Sequence, residues 1–147
     1  MAKATGRVLG LDLGGKRIGL ALSDPDRTIA SSLGHLACRG NRQDVEALAA
    51  LVAEHEVTEV VVGLPLHLSG EESPGSRRAR AFAEKLSERL GLPVNLIDES
   101  LTTAEAEEIL VEADVSRKKR RQVIDGMAAA LILRAWLNEQ EENPPRP

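Results

Sequence analysis

Aromatic residues are almost missing from this chain of 147: one Phe, one Trp and no Tyr. Proteins that grip unpaired bases stack them on aromatic rings, so Phe82 and Trp136 cannot form such a platform, and any nucleic acid must be held by its backbone. The single cysteine, Cys38, excludes an intrachain disulfide and a cysteine-built zinc site, and reads as a small, semi-buried side chain. His35, His55 and His67 are scattered without HExxH or similar spacing and read as surface or loop residues, not metal ligands. No apolar run is long enough to span a bilayer, and the opening MAKATGR has no apolar signal core. A membrane role is thereby excluded, and the expected location is the cytoplasm. The chain also lacks positive net charge: its balance of −4, taken alone, argues against nucleic acid, because phosphate binding relies on basic residues. The distribution of those residues matters more than their sum.

The composition is 42% hydrophobic and 29% charged, ordinary for one globular domain of this length, which buries roughly two-thirds of its unfolded surface. The domain is expected over 7–138, with a disordered, proline-rich tail over 139–147. RVLGLDL (7–13) and RIGLALS (17–23) read as two strands of a hairpin turned by Gly14-Gly15-Lys16. After the turn Asp24-Pro25-Asp26, TIASSLGHL supplies a third antiparallel strand. Asn41 reads as the cap of a helix running to about His55, and TEVVVGLP as a buried strand. A polar loop over 66–75 leads to Ser73 and Pro74, which start a helix ending before Gly91. PVNLID is a fifth strand, TAEAEEILVEA a helix with a Thr102/Glu105 capping box, and Ser116 opens the last helix. Three antiparallel strands followed by alternating helix and strand predict an α/β fold with a five-stranded mixed sheet flanked by helices.

Three carboxylates interrupt apolar segments, where an ionised group is costly unless paired or bound to metal. Asp12 ends the first strand and Glu99 the last, so both face the rim beyond the carboxyl ends of the parallel strands. If the strand ending at Gly63 lies between them, their backbones stand about 10 Å apart, and a glycine there leaves the gap open for a shared cation. Asp125 is helical, with Ala128 and Ala129 clearing the helix surface beside it. A purely carboxylate set favours Mg²⁺ or Mn²⁺ and hydrolysis of a phosphodiester by water. Asp98 points to the opposite face of the strand, and Asp24 belongs to its turn.

The basic residues give a second clue. Arg77, Arg78 and Arg80 lie near one helix start, and Arg117, Lys118, Lys119, Arg120 and Arg121 at another, where the helix dipole disfavours cations but anions bind well. With Lys16 and Arg17 of the hairpin, they make a candidate surface for a nucleic-acid backbone. Gly10, Gly15 and Lys16 imitate part of a P-loop, but Arg17 stands at the Ser/Thr position and a strand follows where a helix is needed. No heptad seam sets an oligomeric state, so a monomer and a homodimer both fit.

On the segments LDLGGKRIGLALSD, VVVGLPLHLSG, SRRARAFAEKL, DESLTTAEAE and DGMAAALILRAWL, the chain closely resembles the YqgF-type family of pre-16S ribosomal RNA nucleases, which are also Holliday-junction-resolvase-like. The resemblance covers residues 7–138. It implies a ribonuclease-H-like fold, a catalytic and metal-binding set of Asp12, Glu99 and Asp125, and endonuclease action in 5′-end maturation of pre-16S rRNA. Cleavage of branched DNA is the alternative, and nucleic-acid binding without turnover a third reading. An actin-like ATPase would need two such domains, which this chain is too short to hold. The family often has Thr or Ser at Gly15, Asn at His67 and Arg at Ser100. The last departure removes a phosphate or carboxylate partner that Lys16 and Arg17 would have to replace.

Overall fold

A computed structural model of the chain describes residues 5–65, 72–99 and 117–142, with side chains in the last segment described from 127 to 140. The elements are β1 (Arg7–Leu13), β2 (Arg17–Ser23), β3 (Ala30–Ala37), α1 (Asn41–Glu54), β4 (Val57–Leu64), α2 (Pro74–Leu90), β5 (Val94–Asp98) and α3 (Arg117–Glu142). The helix expected over TAEAEEILVEA, the loop residues 66–71 and Ser100 lie outside the described residues.

Alternation along each strand sorts side chains to two faces, and the order β3-β2-β1-β4-β5 assembles them into one mixed sheet. β1 and β2 pair antiparallel, as do β2 and β3, while β1/β4 and β4/β5 are parallel. On one face, Leu9, Leu11, Leu20, Val60 and Val62 pack with Leu48 of α1 and with Phe82 and Leu86 of α2. On the other, Val8, Ala21 and Val61 pack with Ala129, Ile132, Leu133 and Trp136 of α3. Gly10 sets how near α3 comes: a Cβ there would stand 2.9 Å from Leu133 Cβ and 3.2 Å from the Ala129 carbonyl oxygen. Ala128 and Ala129 are fully buried, so their small side chains serve this close approach to the sheet.

Two element ends differ from expectation. α1 begins at Asn41 without a side-chain cap, because the chain enters through Gly40 at φ 116°, a conformation that favours glycine. Asp44 reaches back instead, its Oδ1 accepting from the Arg39 N–H at 2.9 Å. α3 runs to Glu142, so residues 139–142 are helical where a disordered tail was expected. Glu139, Gln140, Glu141 and Glu142 are good helix formers, and the first proline comes only at Pro144. α2 starts as its sequence predicts, with Ser73 and Ser76 capping each other and Pro74 following.

At the amino end of the parallel strands, Arg27 is buried with φ 60° in the connection from β2 to β3. Its Nε donates to the Gly6 carbonyl at 2.9 Å and its Nη1 to Glu59 Oε1 at 3.0 Å. Asn95 Nδ2 donates to Glu59 Oε2 at 2.7 Å. Among the described residues, no helix is long and apolar enough to cross a membrane.

Candidate active site

The register draws a row across the α3 face at the opposite, carboxyl end of the sheet. Asp12 pairs with Gly19 of β2 on one side. On the other, Leu11 pairs with Val62, which makes Gly63 the neighbour of Asp12, and Gly63 in turn pairs with Ile97. Glu99 lies two residues past Ile97, on the same face by strand alternation. Its N–H donates to the Leu64 carbonyl at 3.2 Å, carrying the ladder one step beyond Asp98. With glycine at both 19 and 63, Asp12 has no side chain beside it on either neighbouring strand, which clears a strip about 10 Å wide.

Glu99 uses that space. A Cβ on Gly63 would stand 3.1 Å from Glu99 Cδ and 2.7 Å from Ile132 Cδ1, so the carboxyl group lies directly over the glycine. Its Oε2 is buried, and the group is hydrogen-bonded to Asp12. Burial first, then this hydrogen bond and the charges of Asp12 and Asp98, push the Glu99 carboxyl up to about 9. Two carboxyl groups crowded into a partly dry site share a proton because both cannot ionise.

A dication would do the proton's work and allow both groups to ionise. The donors are hard oxygens, so the set fits Mg²⁺ or Mn²⁺ better than a softer metal. Among the described residues, no three His, Cys, Asp or Glu side chains form a cluster that could hold a metal. The third expected ligand, Asp125, stands on α3 one helical turn before Ala129, whose carbonyl faces Gly10, and its side chain lies outside the described residues.

The basic residues divide. Lys16 is exposed at the hairpin tip, where the Gly14 N–H bonds the Arg17 carbonyl at 2.8 Å, and Arg17 begins β2. Arg77 and Arg78 are exposed on the first turn of α2, with Arg78 beside Leu13 and Gly14. Arg80 is committed to a salt bridge, its Nε donating to Glu72 Oε1 at 2.6 Å. Arg117, Lys118, Lys119, Arg120 and Arg121 form the first turns of α3. Sequence reasoning missed Gly19, although the alternation of RIGLALS places it on one face with Ala21. It also missed Asp44 and Gly40, which set the start of α1.

Comparison with known proteins bears on this geometry. Relatives provisionally named pre-16S rRNA nucleases include one from Pelotomaculum thermopropionicum, 51% identical over 91% of this chain and 88% of its own. One from Myxococcus xanthus is 47% identical over 90% and 87%, and one from Moorella thermoacetica 46% over 93% and 98%. Among solved structures, RuvC of Thermus thermophilus in complex with a Holliday junction substrate superposes with a TM-score of 0.59 at 15% identity, over 94% of this chain and 97% of that one. The Fowlpox virus resolvase with Holliday junction DNA gives 0.55 at 10% identity, over 90% and 97%. The fold is thus the ribonuclease-H-like fold of RuvC-type resolvases. Residues 6–139 match the model of the family described as "RuvX: Holliday junction resolvase", and the chain belongs to that family.

Proposed function

We propose that the protein is a metal-dependent endonuclease that hydrolyses phosphodiester bonds, acting in 5′-end maturation of pre-16S rRNA in the cytoplasm. One observation carries this reading: Asp12 and Glu99 lie on the same sheet face across Gly63, with the Glu99 carboxyl over the space that a side chain would have filled. Asp12, Glu99 and Asp125 would hold Mg²⁺ or Mn²⁺. When bound, the cation supplies Lewis-acid polarisation of the scissile phosphate and activation of water. Gly63 leaves room for the Glu99 carboxyl beside Asp12, and Ile132 closes the site on the α3 side. Lys16, Arg17, Arg77, Arg78 and the 117–121 cluster hold the flanking backbone, and Arg80 contributes through its pair with Glu72. Water adds across one P–O bond, leaving a phosphate on one fragment and a hydroxyl on the other.

The relatives' names favour pre-rRNA as substrate, whereas the family description favours a four-way DNA junction as the second reading. Both are tested by incubating the full chain with an RNA carrying the 5′ extension of 16S rRNA and with a four-way DNA junction, in Mg²⁺, Mn²⁺ or chelator. The expected result is cleavage of the RNA that chelator and Asp12→Asn abolish. Cutting of the junction alone would shift the substrate, and absence of cutting with either metal would end the reading.

A further inference from the structure

On the face of the sheet opposite the carboxylates, a cavity of about 430 Å³ opens at the same rim. Leu13 follows Asp12 in β1, and alternation turns it to this side, where it forms the cavity floor with Ile18 and Phe82. The walls are largely backbone. Gly14 and Gly15 of the hairpin stand on one side, Gly40 and Asn41 at the uncapped start of α1 on another, and Gly75 in the first turn of α2 on a third. The amino termini of α1 and α2 therefore face one space; α1 has no side-chain cap, whereas at α2 Ser73 already accepts from the Ser76 N–H and Pro74 carries none.

The charges around this space agree with that polarity. Lys16 stands at the hairpin, Arg39 and Arg42 flank the start of α1, and Arg77 and Arg78 lie at the start of α2, all exposed. The nearby carboxylates are shared between these cations and other partners: Asp44, which also lines the cavity, accepts from the Arg39 N–H, Glu46 pairs with Arg89 and lies near Arg42, and Glu72 pairs with Arg80 and lies near Arg77. Of these five cations, Arg78 lines the cavity, as does the buried Asp44, and the other four stand next in sequence to lining residues. Four of the five oppose a helix dipole, at a cost of roughly 0.3–1 kcal/mol each. A bound polyanion offsets that cost.

We infer that this groove holds a phosphodiester segment of the nucleic-acid substrate away from the scissile bond, so that the strand bends over the carboxyl rim between the two faces of the sheet. The inference deepens the nuclease reading and rests on it for the identity of the strand. A lone phosphate would need only one helix terminus. The cations instead run from the hairpin across α1 to α2, and the apolar floor suits a sugar or base edge beneath the backbone.

Cys38 lines the groove and is the only cysteine of the chain, so its reaction with a thiol reagent at alkaline pH reports occupancy without any turnover. The probes are a single-stranded RNA of the 16S 5′-extension sequence in chelator, inorganic phosphate, and a mononucleotide. The RNA is expected to slow Cys38 modification about fivefold or more as it saturates the protein, with phosphate and mononucleotide having little effect at equal phosphate concentration. Gly15→Glu places an anion at the mouth, and a Cβ at this position meets nothing within 4 Å, so the variant is expected to fold. It should weaken RNA binding by about tenfold and abolish the protection, whereas Gly15→Asn changes binding by about twofold or less. Unprotected Cys38 in a saturated RNA complex overturns the groove, as does equal protection by the small anions. Cleavage measured on the same samples separates the two readings. Cleavage lost in Asp12→Asn with Cys38 unprotected leaves the nuclease and removes the groove, while protection without cleavage in either metal does the reverse.

Discussion

At the amino end of β4 and β5, the residues on the α3 face are Glu59, which meets the buried Arg27, and Asn95, which bonds Glu59. At the carboxyl end of the same strands, on the same face, stand Gly63 and Glu99, and they meet Asp12. Four residues, about 13 Å of strand, separate the two arrangements. At the first end, a buried cation is satisfied by a carboxylate 3.0 Å away and by carbonyls of the entering chain, and the carboxylate is bonded in turn by Asn95. At the second, two carboxyl groups are pressed together with glycines cleared around them. Folding gains from the first. The second opposes folding at neutral pH, since the buried Glu99 must hold a proton that it would release in the unfolded chain, and such a group is kept where function needs it. One sheet face thus carries a pair of opposite charges at one end and two carboxyl groups at the other, the second being the pair proposed to hold the cation.

Substitutions at the two ends should move stability and activity in different directions. Asp12→Asn is expected to lower cleavage by roughly a thousandfold, about 4 kcal/mol of barrier, while relieving repulsion and leaving the metal-free melting temperature equal or higher. A marked fall in that temperature would place Asp12 in the structural class. Arg27→Met should do the opposite. Removing one partner of a buried pair costs about 3 kcal/mol or more, lowering the melting temperature by roughly 6–12 °C for a domain of this size, with cleavage by the folded fraction nearly unchanged. Gly63→Ala sits between these two. Its Cβ would press on Glu99 and Ile132, so destabilisation of about 2 kcal/mol should accompany a drop in cleavage of about a hundredfold, as expected for a displaced reactive group.

The smallest effect concerns a carboxylate outside both ends. Asp24 accepts from the Ile29 and Thr28 N–H groups and the Thr28 hydroxyl, each at 2.8 Å. The Ile29 N–H contributes most to lowering its carboxyl from 3.8 to about 2. A carboxyl held lower in the folded chain than in the unfolded one adds stability above its unfolded value and loses it as pH falls through the folded one. The turn should therefore weaken between pH 4 and 2. Thermal melts of Asp24→Asn across this window should show a flatter pH dependence than the wild type, and identical slopes would remove the turn from the acid response.

Much of this was legible in the sequence because the relevant signals are local. The apolar alternation of RVLGLDL and RIGLALS around two glycines is a hairpin under any tertiary arrangement, and the break at Gly63 in an otherwise bulky strand marks a space that something else must fill. The Arg27 network was not legible, because its partner Glu59 is 32 residues away and an arginine in the turn DPDRT looks like any solvated turn residue. Glu59 and Asn95 were the available signal, being polar residues in apolar strands that needed a partner. The start of α1 was misplaced for a related reason. Asn41 has the side chain of a cap, but the positive φ of Gly40 and the reach of Asp44 to Arg39 decide the boundary, and these are fixed by how the chain leaves β3. The groove was hidden too, since it is assembled from the starts of two helices and a hairpin far apart in sequence.

The central claim is that the acidic end of the sheet is a cation site. Titration of the metal-free full chain with Mn²⁺, followed by electron paramagnetic resonance, reads that site without any substrate. The predicted result is binding that Asp12→Asn and Glu99→Gln each weaken by about tenfold or more and that Glu59→Gln at the other end leaves unchanged. Equal Mn²⁺ binding by the wild type and Asp12→Asn would contradict the account.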